Sequence, residues 1–126
     1  MLEHIWSGWR AAYVSDAPAR TDPDAADGSV FTRLLDSGEP DEATHIIHRS
    51  DHVFAILNIH PYTTGHLLVI PYREVPDLAD LTPEETVDLW ATVTEAVAVV
   101  RSEYAPDGLN VGLNLGRPAG GSVPTH

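Results

Sequence analysis

The amino-acid sequence predicts an α+β domain. An antiparallel sheet of about five strands carries one long helix and one short helix, and the last core strand is cut off where the chain ends. Three observations predict this. Short runs rich in Val, Ile and Leu lie between turn residues over 44–48, 53–58, 66–71 and 109–115. The stretch 83–104 opens with helix start signals and repeats apolar residues at spacings of three and four. The order helix, hairpin, strand, long helix, strand suits an antiparallel sheet with helices laid against it.

Residues 1–28 stand apart from this pattern. Trp6, Trp9 and Tyr13 form an aromatic cluster that reads as an arm docking on an apolar surface. The Asp, Ala and Pro-rich stretch after it reads as a flexible connector. The domain proper covers 29–126. Val30 to Leu35 reads as a short helix, closed by Ser37-Gly38 and Pro40. Thr44 to His48 and Val53 to Asn58 read as two strands around an Arg49-Ser50-Asp51 turn. Pro61 to Gly65 breaks the chain, and His66 to Pro71 is apolar enough for a strand buried on both faces. In the long helix Thr82 is the N-cap, Pro83 takes the first helical position and Glu85 completes a capping box. Val87, Trp90, Val93, Val97, Val100 and Tyr104 give it one apolar face. Its β-branched content is high, so packing rather than propensity must hold it. Asp107-Gly108 then turns the chain into a strand from Leu109 to Leu115.

A chain of 126 residues is one domain's worth. Its 19 Asp and Glu outnumber 7 cations, all of them Arg, for a formal charge of -12. Such a chain is repelled by nucleic acids and anionic membranes, so neither is an expected partner. A phosphate ligand would need a local site working against the global field. With no Cys there is neither a disulfide framework nor a thiolate metal site. No apolar run is long enough to span a membrane, and the N-terminus lacks the basic flank and apolar core of a secretory signal. The expectation is a soluble, cytoplasmic protein.

Four groups of residues carry possible chemistry. Asn114 to Ser122 is Gly-rich and follows a predicted strand. Glycines let backbone N–H groups converge on an anion, while Asn114, Arg117 and Ser122 add side-chain donors. The same stretch also suits a tight hairpin loop, and its spacing is that of neither a P-loop nor a dinucleotide fingerprint. His66 sits in the most apolar strand, where a buried hydrogen-bonded histidine is the plainer reading. Asn58 ends a strand before a Pro turn, where it also serves as a turn stabiliser. His45, His48 and His52 are spaced as helical metal ligands would be, but across strands and a turn that spacing does not converge.

Together these pieces resemble the histidine-triad superfamily of nucleotide-binding hydrolases and transferases. Val53 to Val75, VFAILNIHPYTTGHLLVIPYREV, is similar to that family's run of strand, Asn or Asp, Pro turn, Gly-His and apolar strand. Leu109 to His126, LNVGLNLGRPAGGSVPTH, is similar to its approach to the triad. The N-terminal IWSGWRAAYV resembles the opening of the branch that splits diadenosine polyphosphates. The resemblance implies that Val30, Phe31, Leu34, Ile56 and Ile59 line an adenine slot and that Asn58 bonds the ribose hydroxyls. It further implies that His66 orients the catalytic imidazoles. Asn114, Ser122 and the Gly120-Gly121 backbone would cradle phosphate, and His126 would be the first triad histidine. Relatives with a Cys pair have it where this chain has Ser29 and Thr32, so no zinc site is expected, and no other cofactor.

The resemblance implies attack by a neutral imidazole on phosphorus, a nucleotidyl-histidine intermediate, and release to water or inorganic phosphate. It also implies a homodimer built on the long helix and the strand after it. The middle histidine, the family's nucleophile, would fall two positions beyond His126. Two readings therefore stand beside each other: a diadenosine polyphosphate hydrolase or phosphorylase, and a non-catalytic nucleotide-binding module. A third, an interaction protein displaying the Trp6 and Trp9 arm, leaves the Gly-rich stretch unexplained.

Overall fold

The computed structural model describes residues 28–58, 65–121, 123 and 126. The aromatic arm lies outside them, as do Ile59 and Ser122. Helix α1, Val30–Leu35, opens on Ser29, whose hydroxyl accepts from the Thr32 amide. It closes where Asp36 and Ser37 turn back onto the helix carbonyls. A single-turn helix α2, Asp41–Thr44, follows Pro40. Strands β1 (Ile46–Arg49), β2 (Val53–Leu57) and β3 (Leu67–Pro71) form an antiparallel meander in that order. Helix α3, Pro83–Tyr104, packs on β2 and β3.

Side chains alternate across the strands, so Phe54 and Ile56 share a face with Leu68 and Ile70 opposite them. That face receives α1: Phe31, Leu34 and Leu35 pack on a buried cluster of Ile46, Phe54, Ile56 and Ile70. Tyr72 stacks on Phe54 with ring centroids 5.4 Å apart. Val53 and Ala55 point to the opposite face and are also buried. Asp88 ties α3 to the hairpin, accepting from the Ser50 hydroxyl at 2.5 Å and the His52 amide at 2.7 Å.

Both predicted helices occupy their expected spans, and the capping box on Thr82 and Glu85 is formed in both directions. Four local expectations are corrected. Thr44 belongs to α2, not to β1, because Pro40 starts a turn whose first residues are acidic and His45 ends it in the left-handed region at φ 65°. In β3 only Ile70 is buried, since among the described residues β3 pairs with β2 alone. The buried face of α3 is Glu85, Leu89 and Thr92, while Val87, Trp90 and Tyr104 are exposed. Residues 109–115 form no ladder, and Leu109, Val111, Leu113 and Leu115 are exposed. Their alternation is that of a strand, but no backbone among the described residues stands beside them to pair with.

Candidate functional site

The face of the sheet beneath α1 collects five of the residues singled out above: Phe31, Leu34, Ile56, Asn58 and His66. Phe31 and Leu34 lie against Ile56. Val30, at the start of the same helix, is 46% exposed and is not among the side chains packed on the cluster. Continuing the strand alternation puts Asn58 on the face of Ile56, and His66 on the face of Leu68. The two meet across the strand ends, where the Asn58 backbone N–H donates to the His66 backbone carbonyl at 3.1 Å. An apolar floor therefore runs into a polar edge.

His126 lies at the other end of β3. Its Nε2 is 2.5 Å from the Pro71 carbonyl oxygen, and its Nδ1 is 2.7 Å from the Ser29 hydroxyl. Its ring meets Phe31 edge-on, with centroids 5.6 Å apart. Five residue steps at roughly 3.4 Å each separate His66 from Pro71 along the strand. The two histidines read as catalytic thus stand at opposite ends of β3 and do not form one cluster.

Glu74 joins the His126 group, and nothing in the sequence pointed to it: a Glu before Val-Pro reads as a loop charge. Its Oε1 accepts from the Ser29 amide and, at 2.6 Å, from the Thr32 hydroxyl. The Thr32 hydroxyl first, and the Ser29 amide next, hold the Glu74 carboxyl below the usual carboxylate range. Gly28 makes room for it. At φ +86° it takes a conformation that favours glycine, and a Cβ there would stand 2.8 Å from Oε1. The donors gathered here are two hydroxyls, one carboxylate and one imidazole. Zinc sites are built from thiolates, imidazoles and carboxylates, so this set does not fit zinc. His45, His48 and His52 lie in a turn, a strand and a second turn. Among the described residues no group of three or more His, Asp or Glu is arranged to hold a metal ion.

The Gly-rich stretch folds on itself around Arg117–Ala119, a single 3-10 turn. The Gly121 amide donates to the Gly116 carbonyl and the Gly120 amide to the Arg117 carbonyl, so both are engaged inside the loop. Gly120, at φ +100°, lies so close to Asn114 that a Cβ would stand 3.3 Å from its side-chain nitrogen. The bare backbone keeps the Asn114 amide uncrowded. An open cleft of about 460 Å³ elsewhere, at the hairpin turn and the start of α3, is lined in part by Asp51, Glu84 and Glu85. Those carboxylates repel a polyphosphate; His52 lines the cleft, and none of the residues read as nucleotide-binding or catalytic does.

The sequence model of the HIT domain family matches residues 39–126. The AP-4-A phosphorylase of Mycobacterium tuberculosis (strain CDC 1551 / Oshkosh) is 40% identical over 99% of this chain and 64% of its own length. The asymmetrical bis(5'-nucleosyl)-tetraphosphatase of Schizosaccharomyces pombe is 37% identical over 64% of this chain and 44% of its own. This chain therefore spans less than two thirds of either relative. A crystal structure of a HIT family protein from Bacillus anthracis superposes with a TM-score of 0.70 at 30% identity. It covers 79% of this chain and 68% of that one.

Proposed function

The chain belongs to the HIT domain family, and from there we propose that it binds adenine nucleotides and serves the cleavage of dinucleoside polyphosphates. One observation carries the reading: the apolar floor of Phe31, Leu34 and Ile56 running into the Asn58 and His66 edge. A purine ring suits the floor, and the Asn58 amide group suits the ribose hydroxyls. Both relatives are named for dinucleoside polyphosphate chemistry, which supports the substrate class. The Asn114 side-chain amide is the donor for the phosphates, with Ser122 the second donor at the other end of the Gly-rich stretch and Gly120 keeping the approach to Asn114 open. Preorganised donors of this kind meet charge developing on phosphoryl oxygens. The nucleotidyl group passes to an imidazole and then to water or inorganic phosphate.

The proposal includes a homodimer through α3 and residues 109–115. Val87 is 71% exposed and Trp90 44%, and four more apolar side chains alternate along 109–115 in the open. Exposed apolar surface of this kind marks an interaction site. The proposal also places the protein in the cytoplasm, with its nucleotide ligands.

Titration calorimetry of AMP and ADP against the folded chain is the test. Saturable binding is expected, weakened about fivefold by Asn58→Ala, the loss of roughly 1 kcal/mol of hydrogen bonding. A folded sample that takes up neither nucleotide overturns the reading.

A further inference from the structure

At Pro71 the direction of the His126 contact is fixed by chemistry, and at Ser29 it follows from the neighbouring bonds. A carbonyl oxygen only accepts, so the ring nitrogen beside Pro71 carries a proton: Nε2–H donates to the Pro71 carbonyl. At Ser29 the hydroxyl oxygen already accepts from the Thr32 amide at 3.2 Å. The Thr32 hydroxyl gives its own proton to Glu74. The Ser29 proton has the Glu74 carboxylate, Thr32 Oγ1 at 3.4 Å and His126 Nδ1 at 2.7 Å around it. The carboxylate already takes the Ser29 amide and Thr32 hydroxyl protons, and the imidazole stands at full hydrogen-bond distance. The Ser29 backbone is in turn pinned, because its amide donates to the same carboxylate oxygen of Glu74.

We propose that Ser29 and Glu74 are positioning residues that hold His126 in the Nε2–H tautomer with its Nδ1 lone pair occupied. Glu74 acts at one remove. It takes the Thr32 proton, so the Ser29 proton stays directed at the ring, and it fixes the cap residue that carries the hydroxyl. Ser29 is 4% exposed, so water has little access to replace that hydroxyl. The ring then links the start of α1 to the end of β3 and offers no lone pair for attack on phosphorus. His126 acts by orientation. The role within catalysis rests on the nucleotide-transfer reading, whereas the tautomer lock does not.

Two-bond nitrogen–proton correlation spectra of the full chain, labelled with nitrogen-15 in its histidines and recorded without nucleotide, read the tautomer directly. His126 is assigned by comparison with His126→Gln. The wild-type spectrum should show protonated Nε2 and a hydrogen-bonded, unprotonated Nδ1 near neutral pH. In Ser29→Ala the Nδ1 signal should move toward that of a free lone pair, with the Nδ1–H tautomer becoming populated. Ser29→Thr should restore the wild-type pattern. Glu74→Gln should shift the same signal in the same direction by less. Protonated Nδ1 in the wild type overturns the inference, whether or not any variant folds. A folded Ser29→Ala with an unchanged His126 spectrum overturns it too. AMP titration of the same wild-type sample separates the two claims. Binding with the wrong tautomer sinks the lock alone, and the right tautomer without binding upholds the lock while sinking the nucleotide reading.

Discussion

Glu85 is a buried carboxylate at the start of α3 with four hydrogen-bonding demands met at once. Its Oε1 accepts from Arg73 at 2.6 Å and from the Thr82 amide at 2.9 Å, its Oε2 accepts from Arg73 at 3.3 Å, and its own amide donates to Thr82 Oγ1 at 3.1 Å. The Arg73 guanidinium first, and the Thr82 amide next, hold its carboxyl at about 2, against an ordinary value of 4.5. A carboxylate depressed by folding contributes stability that is complete above its unfolded value and is lost as pH falls through the folded one. Acid unfolding of the wild type should therefore steepen between about pH 4.5 and pH 2. In Glu85→Gln that steepening should be reduced, and the variant should be less stable near neutrality. Chemical denaturation at several pH values, followed by circular dichroism, makes the comparison. Parallel curves for the two proteins would show that the pair is not coupled to folding.

At the scale of an element, α3 depends on its first turn. Thr82 caps it, Pro83 is preset for helical φ, and Glu84 and Glu85 face the positive end of the dipole. Beyond that turn the β-branched residues Val87, Thr92, Val93, Val97, Val99 and Val100 lower the intrinsic propensity. The cap must then offset part of the deficit. Thr82→Ala removes an acceptor from the Glu85 amide and should cost about 1 kcal/mol. Thr82→Ser, which keeps the hydroxyl, should recover most of it. Urea midpoints for the three proteins, with unchanged slopes, are the measurement. Equal midpoints for Thr82→Ala and wild type would mean that packing on β2 and β3 alone sets the helix start.

For the whole molecule, the unfilled requirement is cover for α3 and 109–115. Side chains such as Trp90 and Val87 gain roughly 1.5–3 kcal/mol each when fully buried. A two-fold partner presenting the same surface buries both copies at once. Light scattering at micromolar concentration should give the mass of a dimer. Trp90→Glu should give a monomer, because it puts a charge on the apolar surface that the partner would have to bury. A wild-type monomer at that concentration rules out the homodimer part of the proposal. The charge of -12 on each copy opposes association, so dimerisation should strengthen with added salt.

The sequence by itself determined what is decided within a few residues. The spans of α1 and α3, the Thr82 capping box and the β1–β2 hairpin were all legible in it. Caps, turns and apolar spacing act through neighbours one helical turn or one strand pair away. Tertiary structure decided what depends on distant backbone. Spacing alone favoured Val87, Trp90, Val93, Val97, Val100 and Tyr104 as the apolar face of α3, and of these Val93, Val97 and Val100 are half-buried while Val87, Trp90 and Tyr104 are exposed. Docking on β2 and β3 selected Glu85, Leu89 and Thr92, because Glu85 takes its partner Arg73 from beyond β3. The alternation of 109–115 promised a strand, but a strand needs a second backbone, and the described residues supply none beside it. The grouping of His126 with Ser29, and of Ser29 with Glu74, joins positions 97 and 45 residues apart. No local pattern encodes such a meeting. It exists because α1 lies across the sheet and brings its cap beside the end of β3.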